Sequence, residues 1–193
     1  MDKSEILALR RAVLEKEFSR MNDRQRQAVF SIGGPLLILA GAGSGKTTVL
    51  INRIANILRY GNAYNSTFIQ DELDEEDLAA CRAYLDGGEP LPEETRRHLS
   101  VSACLPWKIM AITFTNKAAG ELKDRLCAML GAEGNDIWAS TFHSTCARIL
   151  RRDGERLGYS SHFTIYDTDD QRRLMKNILK ELDVSEKNMP PKA

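Results

Sequence analysis

Between positions 36 and 48 the chain reads Leu-Leu-Ile-Leu-Ala-Gly-Ala-Gly-Ser-Gly-Lys-Thr-Thr. That order of residue types suits one chemistry, the holding of a polyphosphate. Gly41, Gly43 and Gly45 let successive backbone N–H groups turn inward at an anion without Cβ clashes. A helix opening near Gly45 adds unpaired N–H groups and the positive end of its dipole. The Lys46 ammonium reaches β- and γ-phosphates, and the Thr47 hydroxyl is a ligand for Mg²⁺. The general phosphate-loop pattern is G-x-x-x-x-G-K-S/T. Ala40 stands where its first glycine would be, and Ala42, Ser44 and Thr48 complete the stretch. The chain is therefore expected to take a nucleoside triphosphate with Mg²⁺ at residues 40–48. Gln25 is a second candidate: a glutamine at such a place is usually a solvated side chain, but shortly before a phosphate loop its amide offers one donor and one acceptor to an adenine edge.

The elements that must position these groups follow from the pattern around them. Leu36–Leu39 is an apolar run of strand length. After the loop, Val49, Leu50, Ile51, Ile54, Ala55, Ile57 and Leu58 predict a helix apolar on most sides and well buried, ending near Tyr60-Gly61. Residues 3–19 read as an amphipathic helix, and Asn22 or Asp23 caps a short helix that carries Gln25 near its start. Ile109–Thr113 and Ile137–Ser140 are further strands, each followed by a helix, and Phe163–Tyr166 is a fourth. A capping box at Thr168–Gln171 opens a last helix to about Leu182. Strands alternating with helices predict an α/β fold with a parallel sheet, whose ligands bind at the carboxyl ends of the strands. The phosphate loop, Phe114–Lys117 and Thr141–Ser144 all sit at such ends and are expected to share one sheet edge.

Composition bounds the answer further. The 193 residues carry 27 Lys/Arg and 27 Asp/Glu, but the balance is uneven. Residues 1–60 have 10 basic against 5 acidic residues, 61–107 have 3 against 10, and 108–193 have 14 against 12. The outer segments suit a polyanionic partner. The middle segment holds six acidic residues in the seven from Asp71 to Asp77 and a Gly/Pro turn at Gly87–Pro92, and reads as a solvated helical insertion. The four cysteines are scattered, which suits reduced thiols in a cytoplasmic protein. No apolar run approaches a membrane span, so no membrane partner is expected.

Taken together these motifs resemble the amino-terminal part of the UvrD/PcrA/Rep family of superfamily 1 DNA helicases. Asn22–Val29 resembles the family's Q motif, with Gln25 at the adenine-reading position. Ala40–Thr47 resembles its form of Walker A, alanine first. Ala111–Ala119 resembles motif Ia, Ser140–Ser144 resembles motif Ib, and Tyr166–Gln171 also looks like a segment of these proteins. The resemblance implies a P-loop, RecA-like domain 1A. In its terms residues 1–61 hold the first helix, Q motif and P-loop unit, and 62–107 an acidic surface insertion. Residues 108–167 then hold the rest of 1A, and 168–193 a helix entering a truncated 1B subdomain.

It further implies ATP-dependent 3′→5′ movement on single-stranded or partly duplex DNA, in repair or replication, by a monomer. Motifs Ia and Ib touch single-stranded DNA in this family. Phe114 offers a face for base stacking, while Thr115, Asn116, Lys117, Thr141, His143 and Ser144 suit phosphates. Phe142 is expected in the core.

Three departures qualify the resemblance. Thr48 replaces the arginine usual after the Lys-Thr pair, and the acidic insertion is longer than expected. No Asp-Glu-x-x motif follows an apolar strand, so the carboxylates that bind Mg²⁺ and activate water are missing. The expectation is a fragment that grips ATP through Lys46 and Thr47 and barely hydrolyses it. Two rivals are an AddA-type helicase–nuclease subunit, against which Gly41 and Lys117 speak, and a non-catalytic nucleotide- or DNA-binding module. A small P-loop kinase lacks an evident acceptor site or lid.

Overall fold

A computed structural model describes residues 2–41 and 43–184, arranged as two compact units, 1–142 and 143–193. Ala42 and the tail from residue 185 lie outside the described residues.

The first unit opens with α1 (Lys3–Glu17), capped by Asp2 in a capping box with Glu5. Next come α2 (Asp23–Phe30), capped by Asn22 in a box with Gln25, and α3 (Lys46–Arg59). Helix α3 is apolar on two sides and lies between two cores, as its sequence predicts. Val49 joins Val13, Leu14 and Phe18 of α1 and Val29 and Phe30 of α2 in one core. Ile51, Ile54, Ala55 and Leu58 join the second. Gly61 ends the helix with φ +57, and a Cβ there would lie 2.2 Å from the Val101 carbonyl oxygen. Only glycine allows this approach, which is closed by Asn62 N–H donating to the Val101 oxygen at 2.7 Å.

Helices α4 (Glu75–Leu85) and α5 (Glu93–Leu99) follow, joined by the predicted Gly/Pro turn. Residues 62–107, expected to be an acidic surface insertion, are in part packed into the interior. Their acidic rim is exposed, but Ala63, Cys81, Leu91 and Leu99 are buried in the first core with α1 and α2. Lys16 of α1 donates to the Tyr84 and Leu85 carbonyls, placing a cation on the C-terminal end of α4. Nor is the acidic run wholly solvated. Asp77 is 6% exposed, accepting from Thr95 Oγ1 at 2.6 Å and lying 2.7 Å from His98 Nδ1. Burial opposes its ionisation, but these hydrogen bonds outweigh burial and hold the carboxyl below its ordinary value. Burial, with Asp77 nearby, pushes the Cys81 thiol up to about 11.

The sheet is β1 (Met110–Thr113) and β2 (Trp138–Thr141), parallel, with Met110 opposite Trp138 and Thr113 opposite Thr141. The connection is α6 (Asn116–Leu130), whose Leu122, Leu126 and Leu130 pack with Ala111 and Ile137 on α3. This is the predicted strand–helix–strand unit.

Leu36–Ala40 is not in the sheet. The stretch is extended, and exposure alternates, with Leu37 and Leu39 at 81% and 86% and Leu36 and Ile38 at 42% and 41%. Among the described residues the Leu36–Leu39 backbone has no ladder partner. A strand is a relation between neighbours, and a run this apolar needs them on both edges.

The second unit holds α7 (Phe142–Asp153), which begins one residue before the unit boundary, and α8 (Thr168–Glu181). Phe163–Tyr166 is irregular rather than the expected fourth strand. Asp167, one residue earlier than expected, caps α8 in a box with Asp170. The Arg151 guanidinium lies 5.8 Å from the Phe163 ring centroid. No helix among the described residues is long and apolar enough to cross a membrane.

Candidate functional site

Gly43 and Gly45 turn the chain into α3 with φ of +73 and +82. Gly45 serves as N-cap in the left-handed conformation, with no side-chain hydrogen bond to the helix. Helices α1, α2, α4, α6 and α8 each begin on a side-chain cap, whereas the first N–H groups of α3 have none. A helix start left this way beside a glycine turn fits an anion. The Lys46 ammonium donates to the carbonyl oxygens of Gly41 at 2.6 Å and Ala40 at 3.2 Å, folding over the loop. Ser44 closes the turn, its hydroxyl donating to Gly41 O at 2.7 Å. Thr47 and Thr48 are exposed in the first turn of α3. The donor set fits a polyphosphate: one cation, a hydroxyl, and helix N–H groups without a cap. Ala42 lies outside the described residues.

Gln25 belongs to this loop in a way the sequence did not suggest. Its Oε1 accepts from Asn22 N–H at 3.1 Å, and its Nε2 donates to Ser44 O at 3.1 Å. A Cβ on Gly45 would stand 3.0 Å from that Nε2. The amide therefore braces the glycine turn while keeping one N–H and one lone pair for another partner.

At the sheet, the residues after β1 and β2 meet. Thr113 and Thr141 are register partners, so Phe114 and Phe142 project side by side. Their ring centroids are 5.3 Å apart and their planes inclined at 41°. Phe114 is 86% exposed and Phe142 46%, so Phe142 is not the core residue expected. The strand end drives it outward, and that pairing is what the sequence alone could not show. Thr115 caps α6 by accepting from Ala118 N–H at 3.1 Å, and Asn116 and Lys117 are exposed in its first turn. Thr141, expected among the DNA-contacting residues, is 6% exposed at the end of β2. His143 and Ser144 open the second unit and are exposed. The sheet thus joins two of the three strand ends expected on one edge, since Leu36–Ala40 is outside it.

Comparison with known proteins identifies the family. The model of the UvrD/REP helicase N-terminal domain matches residues 21–69 and 91–193, skipping the acidic run and α4. The ATP-dependent DNA helicase PcrA of Bacillus subtilis is 40% identical over 175 residues, covering 91% of this chain. PcrA of Leuconostoc citreum is 39% identical over 173 residues, 89% of this chain, and that of Staphylococcus aureus 39% over 174 residues, 90%. The chain spans 18% of the length of each of these relatives. On the matched residues, which include α2, the glycine turn, and the ends of β1 and β2, the chain belongs to the UvrD/REP helicase N-terminal domain family.

Proposed function

We propose that this chain is the ATP-binding, single-stranded-DNA-contacting amino-terminal part of a 3′→5′ ATP-dependent DNA helicase acting in repair or replication. The observation that carries the reading is the glycine turn at the uncapped start of α3, with Lys46 folded over it and Gln25 bracing it. Lys46 exchanges its carbonyl partners for phosphate oxygens, and the α3 N–H groups take the rest of the anion's charge. Thr47 supplies the protein's hydroxyl ligand to Mg²⁺, which neutralises phosphate charge when bound. Gln25 turns its free N–H and lone pair to the adenine. The exposed Phe114 stacks a base, and Asn116, Lys117, His143 and Ser144 hold phosphates without reading sequence.

In this reading Leu36–Ala40 is a strand of a RecA-like sheet whose neighbours come from further chain, of which the relatives have much more. The chain works as a monomer in the cytoplasm. Its charge-bearing groups grip ATP but, among the described residues, include no carboxylate placed to activate water, so it binds ATP and barely hydrolyses it.

Calorimetry of the purified chain with ATP and Mg²⁺ tests this, run beside a phosphate-release assay. Measurable binding that Lys46→Ala removes, with hydrolysis near background, is expected. Absence of binding overturns the nucleotide reading, and strong Mg²⁺-dependent hydrolysis lost in Lys46→Ala overturns the inactive-fragment reading.

A further inference from the structure

Helix α2 is eight residues long, too short to persist in water by itself. Its last four carbonyls have no helical partner further on, and every one is met from elsewhere. Gln27 O accepts from the N–H and hydroxyl of Ser31. Ala28 O accepts from Arg53 Nη1 at 2.6 Å, Val29 O from Asn56 Nδ2 at 3.3 Å, and Phe30 O from Asn65 Nδ2 at 2.8 Å. Arg53 Nη1 donates also to Ser31 O, the C-cap residue. A guanidinium thus sits on the negative end of the α2 dipole, the end that favours a cation. Burial pulls the basicity of this guanidinium down.

The two ends of α2 are coupled through α3. Arg53 follows Lys46 by seven residues, about two turns, and so shares its face of α3. At one end of the helix pair, Gln25 of α2 meets Ser44 and Gly45 at the start of α3. At the other end, Arg53 and Asn56 of α3 hold Ala28, Val29 and Ser31. The Asn22 backbone N–H donates to the Gln25 Oε1 and fixes the amide, so α2 behaves as a short strut between clamp and loop.

We infer that Arg53 is a positioning residue for nucleotide binding, which sets the register of α2 on α3 and so holds the Gln25 amide against Ser44 and toward the base. This deepens the nucleotide reading and rests on it. Without Arg53 the strut slides or frays, Gln25 leaves Ser44, and base selection fades although Lys46 and Thr47 are intact.

The test compares wild type, Arg53→Met, Arg53→Lys, Gln25→Ala and Arg53→Met/Gln25→Ala for affinity to ATP and GTP by calorimetry. Arg53→Met is expected to weaken ATP about tenfold, the loss of one charge-assisted hydrogen bond's worth, and to bring the ATP/GTP ratio to that of Gln25→Ala. The double variant is expected to discriminate no worse than Gln25→Ala, because both changes break one linkage. Arg53→Lys, which keeps the charge without the planar fork, is expected in between. A purely structural arginine would lower thermal stability and leave the ATP/GTP ratio at the wild-type value, and that result overturns the inference.

Amide hydrogen exchange without nucleotide separates this from the nucleotide reading. Faster exchange at Ser44–Thr48 in both Arg53→Met and Gln25→Ala supports the strut even if wild type binds no ATP. Unchanged exchange in Arg53→Met overturns it. If Arg53→Met does not fold, Arg53→Lys decides by the same two measurements.

Discussion

The rings of Phe114 and Phe142 lie 5.3 Å apart at 41°, one following each strand of the sheet, and both are exposed. Under the proposed DNA-binding function, two aromatic faces set by strand register are expected to stack bases together rather than as one isolated residue. Phe114→Ala and Phe142→Ala are each expected to weaken binding of an oligothymidine by about 1–3 kcal/mol. Because the rings touch, the double variant is expected to lose less than the sum. Fluorescence anisotropy with a labelled oligonucleotide reads both. If Phe142→Ala binds as wild type, the second ring is packing only.

Gly45 is the position where the loop tolerates least. Its φ of +82 disfavours any Cβ, and that Cβ would press on Gln25 Nε2 at 3.0 Å. Gly45→Ala is expected to destabilise the chain by about 1–2 kcal/mol and to abolish ATP binding. Gly33→Ala, where a Cβ meets nothing within 4 Å and φ is not positive, is the matched control. Denaturant melts and calorimetry on the pair would falsify the assignment if the two variants behaved alike.

The Asp77–Thr95–His98 cluster gives stability a defined pH dependence. Its carboxyl titrates lower in the folded chain than its ordinary value of 3.8, so the unfolded chain takes up the proton first. The contribution is therefore complete at neutral pH and is lost as pH falls below 3.8 toward the lowered value. Asp77→Asn is expected to cost about 1–3 kcal/mol at pH 7, from a buried hydrogen-bond cluster left mismatched. The gap between wild type and variant should narrow as the pH falls through that window. Urea melts at pH 7 and in steps below pH 4 check it, and a gap that stays constant rules the linkage out.

The acidic rim is the part the family model skips, and its charge faces solvent at Asp71, Glu72, Glu75 and Glu76. Our reading is that this charge limits DNA access near Phe114–Lys117. Deleting the segment would remove Cys81 and Leu78 from the protein interior, so charge neutralisation is the usable experiment. The variant with Gln or Asn at those four positions is expected to bind single-stranded DNA more tightly at low salt, with the difference vanishing at high salt. Equal affinity and equal salt slope for the two proteins would discard the idea.

What the sequence disclosed was mostly local. Asn22 caps a helix because a short polar side chain reaches its own N3 amide, and Gly61 ends α3 because of its backbone, so both are legible in a few residues. The strand–helix–strand unit over 110–141 is legible for the same reason, each element carrying its own period. What was hidden depended on partners distant in sequence. Nothing near Phe142 says that Phe114 will stand beside it. Nothing near Asp77 announces Thr95 and His98, and a charge run reads as solvated until its partner helix is placed. Nothing near Arg53 in sequence announces its role, because the carbonyls it serves lie more than twenty residues earlier. Phe163–Tyr166 has strand-forming residues but no neighbour, and so remains irregular.

Leu36–Leu39 has the alternating exposure of a strand and, among the described residues, none of the hydrogen bonds of one. An extended apolar backbone with open N–H and C=O groups is an adhesive edge, and its five residues from Leu36 to Ala40 carry no charge and no proline to blunt it. Handled at high concentration, the chain is therefore its own most available neighbour. The segment that leads into the nucleotide loop is thus also where self-association is expected to begin.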